Sequence, residues 1–280
     1  MTYKEILVHV DRSEGCGARI GVAIGLAKKF DAHLTGLCPT AFPVLPAYIA
    51  GSLPADLLAN QEAETKARAQ AALTNFEAEC ERHGVAVERR LEHCVDTEVA
   101  MVISRHARYA DLVVLGQSDP EDPLSTPQGV LEDVALASAR PTLIVPYIGA
   151  EKEPGGRVML AWDAGREAAR AATDALPLLR AATSVTVMIA NPRSSFDGHG
   201  ENPGADVAHF LARHGVKAEV HNTEAKDISI GDAILSRLAD ENCDLLVMGA
   251  YGHARLRELV LGGVTRTILG HMTVPVLLSH

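Results

Sequence analysis

The chain contains itself twice, and that constrains its fold more than any single motif. Ala110-Asp-Leu-Val-Val-Leu-Gly116 returns 133 residues later as Cys243-Asp-Leu-Leu-Val-Met-Gly249, and Gly129 stands at the same distance before Gly262. A long repeat at one offset means one structural unit built twice. The beginnings and ends of the copies agree as well. Ile6-Leu-Val-His-Val-Asp11 answers to Val158-Met-Leu-Ala-Trp-Asp163, each an apolar run closed by an aspartate, and Pro141-Thr-Leu-Ile-Val answers to Pro275-Val-Leu-Leu. Between the halves, Gly149-Ala-Glu-Lys-Glu-Pro-Gly-Gly156 has the composition of a linker. We therefore expect two domains, residues 1–148 and 157–280, and the 280-residue length leaves each enough chain to bury a core.

Within each half, short continuous apolar runs alternate with stretches of helical period. The first half reads as strand 4–10, helix 18–30, strand 33–38, helix 55–83, strand 85–91, helix 95–108 and a strand into Gly116. The second reads as strand 157–162, helix 167–181, strand 184–190, helix 207–214, strand 216–222, helix 230–241 and a strand into Gly249. Runs apolar on both sides of the pleat belong to a parallel sheet covered on both faces. In such α/β folds, ligands bind beyond the carboxyl ends of the strands. Asp163, Ala190 and Gly249 all stand at such ends, so residues distant in sequence can face one cleft.

The loop after the Gly249 strand is built of glycine. It runs Gly249-Ala-Tyr-Gly252-His253, reaches Gly262-Gly263-Val264-Thr265, and then shows the apolar pair Val264 and Ile268 at helical spacing. Glycine allows backbone to come close to a ligand, and the free N–H groups and dipole of a helix start favour an anion. Two tight turns joining a strand to a helix would leave the same glycines. His253, inside the loop, is a candidate for phosphate contact or an ordinary surface residue, and Asp163 is a candidate ligand or a helix cap.

The formal net charge of −10 argues against nucleic acid or an anionic membrane as the main partner, since both need a basic footprint. No run has the length of a membrane span, and the start leads straight into a strand, so a cytoplasmic location is expected. The five cysteines, Cys16, Cys38, Cys80, Cys94 and Cys243, are scattered without a C-x-x-C pair, as expected for reduced thiols and not for a disulfide framework or a metal site. No G-x-x-x-x-G-K-[ST] motif is present.

The pattern Gly-x2-Gly-x9-Gly before a closing helix and strand, with an aspartate ending the first strand, resembles the universal stress protein family, and the repeat makes it a tandem form. The resemblance implies two adenine nucleotide alpha hydrolase-like domains with doubly wound parallel sheets, related by a pseudo-twofold axis where the last strands pair. It also implies an adenine nucleotide, ATP with Mg²⁺, held by the C-terminal half through Asp163, Ala190, Gly249, Gly252, His253, Gly262, Gly263, Val264 and Thr265. Hydrolysis would be slow at most, because no evident base or arginine finger accompanies the motif. The family usually carries Ser or Thr where this chain has Gly263, which removes a hydroxyl donor and leaves the N–H. The alternative is a stress scaffold that binds no nucleotide and acts through protein or apolar-ligand contacts, including a homodimer of tandem chains.

The first copy departs from the motif. Asp119 stands in place of Gly252, Val130 in place of Gly263, and Pro120, Pro123 and Pro127 remove backbone donors. From Gly116 to Val134 there are Asp119, Glu121, Asp122, Glu132 and Asp133 with no Lys or Arg, whereas Gly249 to Thr267 holds Arg255, Arg257 and Arg266 against Glu258. Repulsion of a polyanion is therefore expected in the first half, with no obvious repair in that cleft because the prolines have also removed donors. The first half also carries an insertion, placed in the apolar, proline-broken stretch 39–54 and read as a lid or contact loop.

Overall fold

A computed structural model describes residues 2–42, 54–148, 153–192, 202–250 and 262–280. Their ten strands form one sheet. In the first half they are β1 (Glu5–His9), β2 (His33–Phe42), β3 (Val87–Val95), β4 (Leu112–Gly116) and β5 (Thr142–Val145). In the second they are β6 (Arg157–Ala161), β7 (Ser184–Ala190), β8 (Ala218–Thr223), β9 (Leu245–Gly249) and β10 (Val276–Ser279). The helices are α1 (Cys16–Phe30), α2 (Ala55–Arg82), α3 (Val99–Ala107), α4 (Gln128–Ala137), α5 (Arg166–Asp174), α6 (Leu176–Ala181), α7 (Ala205–Arg213), α8 (Ile230–Asp240) and α9 (Gly263–His271).

The strand order is β3-β2-β1-β4-β5-β10-β9-β6-β7-β8, so each half has the doubly wound order and the second runs as the mirror of the first. Every pairing within a half is parallel. The exception joins the halves: β5 and β10 pair antiparallel, with Leu143 opposite Leu277, as a twofold axis between two copies of a closing strand requires. Alternate residues of these strands feed two cores. Leu143, Val145 and Leu277 pack with α1, α2, α5, α6 and α7 on one face, and Ile144, Val276 and Leu278 with α3, α4, α8 and α9 on the other. Both cores run across the junction. Gln117, buried just past β4, adds a polar tie by donating to the Leu269 carbonyl of α9 at 2.9 Å.

Several boundaries differ from the sequence expectation, each for a local reason. β2 continues past Pro39 to Phe42, because its pairing with β1 stops at Leu37 and a proline beyond that point has a neighbour on one side only. β3 lies two to four residues later than expected. It is an edge strand rich in charge, so its place comes from pairing with β2 and not from its own pattern. The expected helix 95–108 begins at Val99, after a short 3₁₀ turn over Asp96–Glu98. The expected helix 167–181 is two helices, since Pro177 lacks an N–H and clashes with the carbonyl four residues earlier. Of the stretch 39–54, residues 43–53 lie outside the described residues. All five cysteines are free and buried.

Candidate functional site

In a doubly wound sheet the chain leaves the first strand toward one edge and later returns toward the other, and the two departing loops part over a crevice. Here the crevices lie beyond β1 and β4 in the first half and beyond β6 and β9 in the second. The two differ in what fills them.

In the second half the crevice is a cavity of about 230 Å³. Asp163, Ala190, Gly249, Gly262, Gly263, Val264 and Thr265 all line it, so the fold brings together seven residues singled out from the sequence. Gly252 and His253 lie outside the described residues. Trp162, Met188, Ile230, Ile234 and Met248 give the cavity apolar walls, and Glu167 adds a carboxylate. At its far side α9 opens at Gly263 with Gly262 as its N-cap, and among the described residues no side chain caps that helix start. A Cβ placed on Gly263 would meet nothing within 4 Å.

Gly249 plays a different part from the one its motif suggests. A Cβ there would come within 2.6 Å of the Ala168 nitrogen and the Glu167 carbonyl carbon, so the glycine is required by the start of α5 packing on the end of β9. Asp163 does not cap α5, whose N-cap is Gly165. Its Oδ1 accepts a hydrogen bond from the Gly165 nitrogen at 2.8 Å, bracing a turn in which Ala164 takes a left-handed φ of 60°.

Asp11 in the first half makes the corresponding turn, accepting from the Ser13 nitrogen at 3.0 Å, and it also pairs with an arginine of the helix that follows. Arg19 of α1 is 1% exposed, and its Nη2 lies 2.7 Å from Asp11 Oδ1. That contact is an ion pair not aligned as a hydrogen bond, and Nε has no partner among the described residues. Thr126 Oγ1 donates to Asp11 Oδ2 at 3.3 Å and lies 3.2 Å from His9 Nδ1. The guanidinium occupies the space a side chain on Gly116 would need, and only about 10 Å³ remains between Arg19, Gly116, Asp119 and Tyr147. A wider groove of about 630 Å³ lies between α1 and α2, but no residue of β4 lines it.

The first cleft is therefore closed by a side chain as well as by its acidic loop, and the expectation that its negative charge has no repair is corrected. Arg19 brings a cation from α1, and the loop acids are engaged locally. Asp119 Oδ1 accepts from the Glu121 nitrogen at 2.9 Å, and Asp122 accepts from Leu124 at 2.8 Å and Glu14 at 2.8 Å. Sequence reading missed both Arg19 and Glu167. The available signal was periodicity: Arg19 stands in the buried stripe Cys16, Ala23 and Ala27 of α1, and Glu167 in the stripe Ala168, Ala171 and Ala172 of α5.

This closed cleft has a pH consequence. Burial lowers the His9 pKa from 6.5 to about 4, with Asp11 opposing and Arg19 assisting. Burial alone would raise the Asp11 carboxyl, but Arg19 beside it, then His9 and Ser13, hold it well below its usual value. An unfolded chain takes up the His9 proton near 6.5 and the folded chain only near 4. Stability is thus fully present above 6.5 and falls by roughly 3 kcal/mol on the way to 4. Asp11 adds a further loss below the ordinary carboxylate range. A melting series from pH 7.5 to 4 is expected to show this decline, and His9→Asn to flatten it. An unchanged slope in a folded variant would assign the decline elsewhere.

Comparison with known proteins agrees with the architecture. The model of the Universal stress protein family matches this chain twice, over residues 2–146 and 155–280. The chain belongs to the universal stress protein family. A structure of a universal stress protein from Archaeoglobus fulgidus superposes with a TM-score of 0.73, covering 98% of this chain and 95% of that one at 17% identity. A putative universal stress protein from Pseudomonas aeruginosa superposes at 0.61, with 16% identity and coverage of 99% and 93%. At such identity these likenesses speak for the tandem fold alone. Universal stress protein Slr1230 of Synechocystis is 39% identical over 70 residues, a match that takes in 24% of this chain and 22% of that protein.

Proposed function

We propose that the C-terminal universal stress domain binds an adenine nucleotide, ATP in the first instance, and that the N-terminal domain binds none. The observation that carries the reading is the cavity at the β6/β9 crossover. It joins apolar walls to a helix start at Gly263 whose N-cap is a glycine, which pairs a place for a base with a place for a phosphate. The glycines and the nitrogens of Gly263 and Val264 would receive phosphate, and the buried Thr265 hydroxyl would donate. Asp163 would take the ribose or base.

Among the described residues no cluster of three His, Cys, Asp or Glu could hold a metal. Mg²⁺ would arrive on the phosphates, and Asp163 and Glu167 are the carboxylates that line the cavity among the described residues. Any hydrolysis would be slow, since among the described residues no base stands at the α9 start. No described helix is long and apolar enough to cross a membrane.

The reading is tested by nucleotide released on acid extraction of the purified protein and by a rise in melting temperature at millimolar ATP. If neither is seen, the scaffold reading is favoured. A sharper test uses the residue where this chain departs from its family. Because a Cβ on Gly263 meets open space, Gly263→Ser restores a hydroxyl at the helix start without a clash. ATP affinity measured by calorimetry is expected to rise about threefold to tenfold. An unchanged or weaker affinity would place the phosphates away from Gly263.

A further inference from the structure

Each crevice has a residue of the helix after its first strand packed beside the glycine that ends β4 or β9, Arg19 in the first half and Glu167 in the second. At the end of β4, the space beside Gly116 is taken by the Arg19 guanidinium. At the end of β9, the space beside the equivalent Gly249 is taken by the α5 backbone at Glu167 and Ala168 and by the Glu167 Cβ, 2.8 Å from where a side chain on Gly249 would begin. The Glu167 side chain is 6% exposed, yet it lines the open cavity. Burial by itself would raise its pKa, but a hydrogen bond from Arg166, together with a backbone N–H and His280, holds the carboxyl below its ordinary value. It is therefore ionised at neutral pH. A carboxylate accepts hydrogen bonds only and offers about four lone-pair sites, so Arg166 and one backbone N–H leave it room for donors from a ligand that fills the cavity.

We propose that Glu167 determines ligand specificity in this cavity by accepting hydrogen bonds from the vicinal hydroxyls of a ribose. The assignment rests on the nucleotide reading above and adds to it a residue and a selectivity. Position decides which ligand group it meets. Trp162, Met188 and Ile234 form the apolar walls suited to the base, and the α9 start suits the phosphate. Glu167 stands against Gly249, where the phosphate-binding loop begins. The group between base and phosphate is the sugar, and its hydroxyls are donors that a carboxylate requires. A phosphate there would meet like charge. The first half has no counterpart, since the residue in the corresponding position, four after the aspartate that ends the first strand, is Gly15.

The experiment compares ATP with 2′,3′-dideoxy-ATP by calorimetry on the intact chain, wild type and Glu167→Gln. Wild type is expected to prefer ATP by at least tenfold, and Glu167→Gln to lose most of that preference. Equal affinity of wild type for the two nucleotides overturns the assignment while leaving nucleotide binding in place, and this arm needs no variant to fold. A preference that survives in folded Glu167→Gln also overturns it. If wild type binds neither compound, the nucleotide reading itself falls and the assignment with it.

Discussion

Titration of the intact chain with ATP is expected to saturate at one nucleotide per chain, although the fold contains two copies of the binding domain. In the second copy the crossover encloses about 230 Å³, and in the first about 10 Å³ remains around Arg19. A nucleotide entering the first cleft would have to displace a guanidinium that is 1% exposed and paired to Asp11. It would then leave Asp11 buried beside an acidic loop. Uncovering such a pair costs several kcal/mol, more than the few hydrogen bonds of a phosphate return. Asp119→Gly, which restores the motif glycine of the first loop, is therefore expected to leave the stoichiometry at one. Gly252→Asp, which writes the first copy's residue into the second, is expected to weaken binding well beyond tenfold. Two sites per chain in the wild type would overturn this account.

Asp11→Ala is expected to be among the most destabilising single changes in the N-terminal half, by about 3–5 kcal/mol, because it strands a buried cation. Arg19 has its charge partner in Asp11 through Nη2, and its Nε has no hydrogen-bond partner among the described residues. The variant also frees Ser13 and Thr126 from the carboxylate that accepts from them. The double variant Asp11→Ala, Arg19→Met removes both charges and fills part of the volume with an apolar chain, so it should regain most of the loss. Urea unfolding of the two single variants and the double gives the coupling directly. A double variant as unstable as the sum of the singles would show that Asp11 acts through the turn it braces and not through Arg19.

The repeat, the alternation of apolar runs with helical stretches, and the aspartates and glycines at strand ends were legible as sequence because each is set by local rules. A buried strand must be apolar on both faces, and a turn against backbone must be glycine. Boundaries were less legible where a neighbour supplied the reason, as in the edge strand β3, whose charged residues say little until β2 pairs with them. The role of Gly249 was legible only in part. Its need for glycine comes from the α5 backbone lying 2.6 Å away, a contact across 81 residues of sequence that no local rule contains.

That this chain is two α/β copies, that their closing strands are equivalent, and that the glycine motif is whole in only one can be read from the order of residues. These follow from residue types at fixed spacing. It takes the folded chain to show that β5 and β10 join the copies into one ten-stranded sheet, and that Arg19 fills one crevice while Glu167 lines the other. A charged side chain in an apolar helical stripe has no partner within its own helix. Which group neutralises it, and whether it closes a cleft or furnishes one, depends on what the sheet brings to the same place.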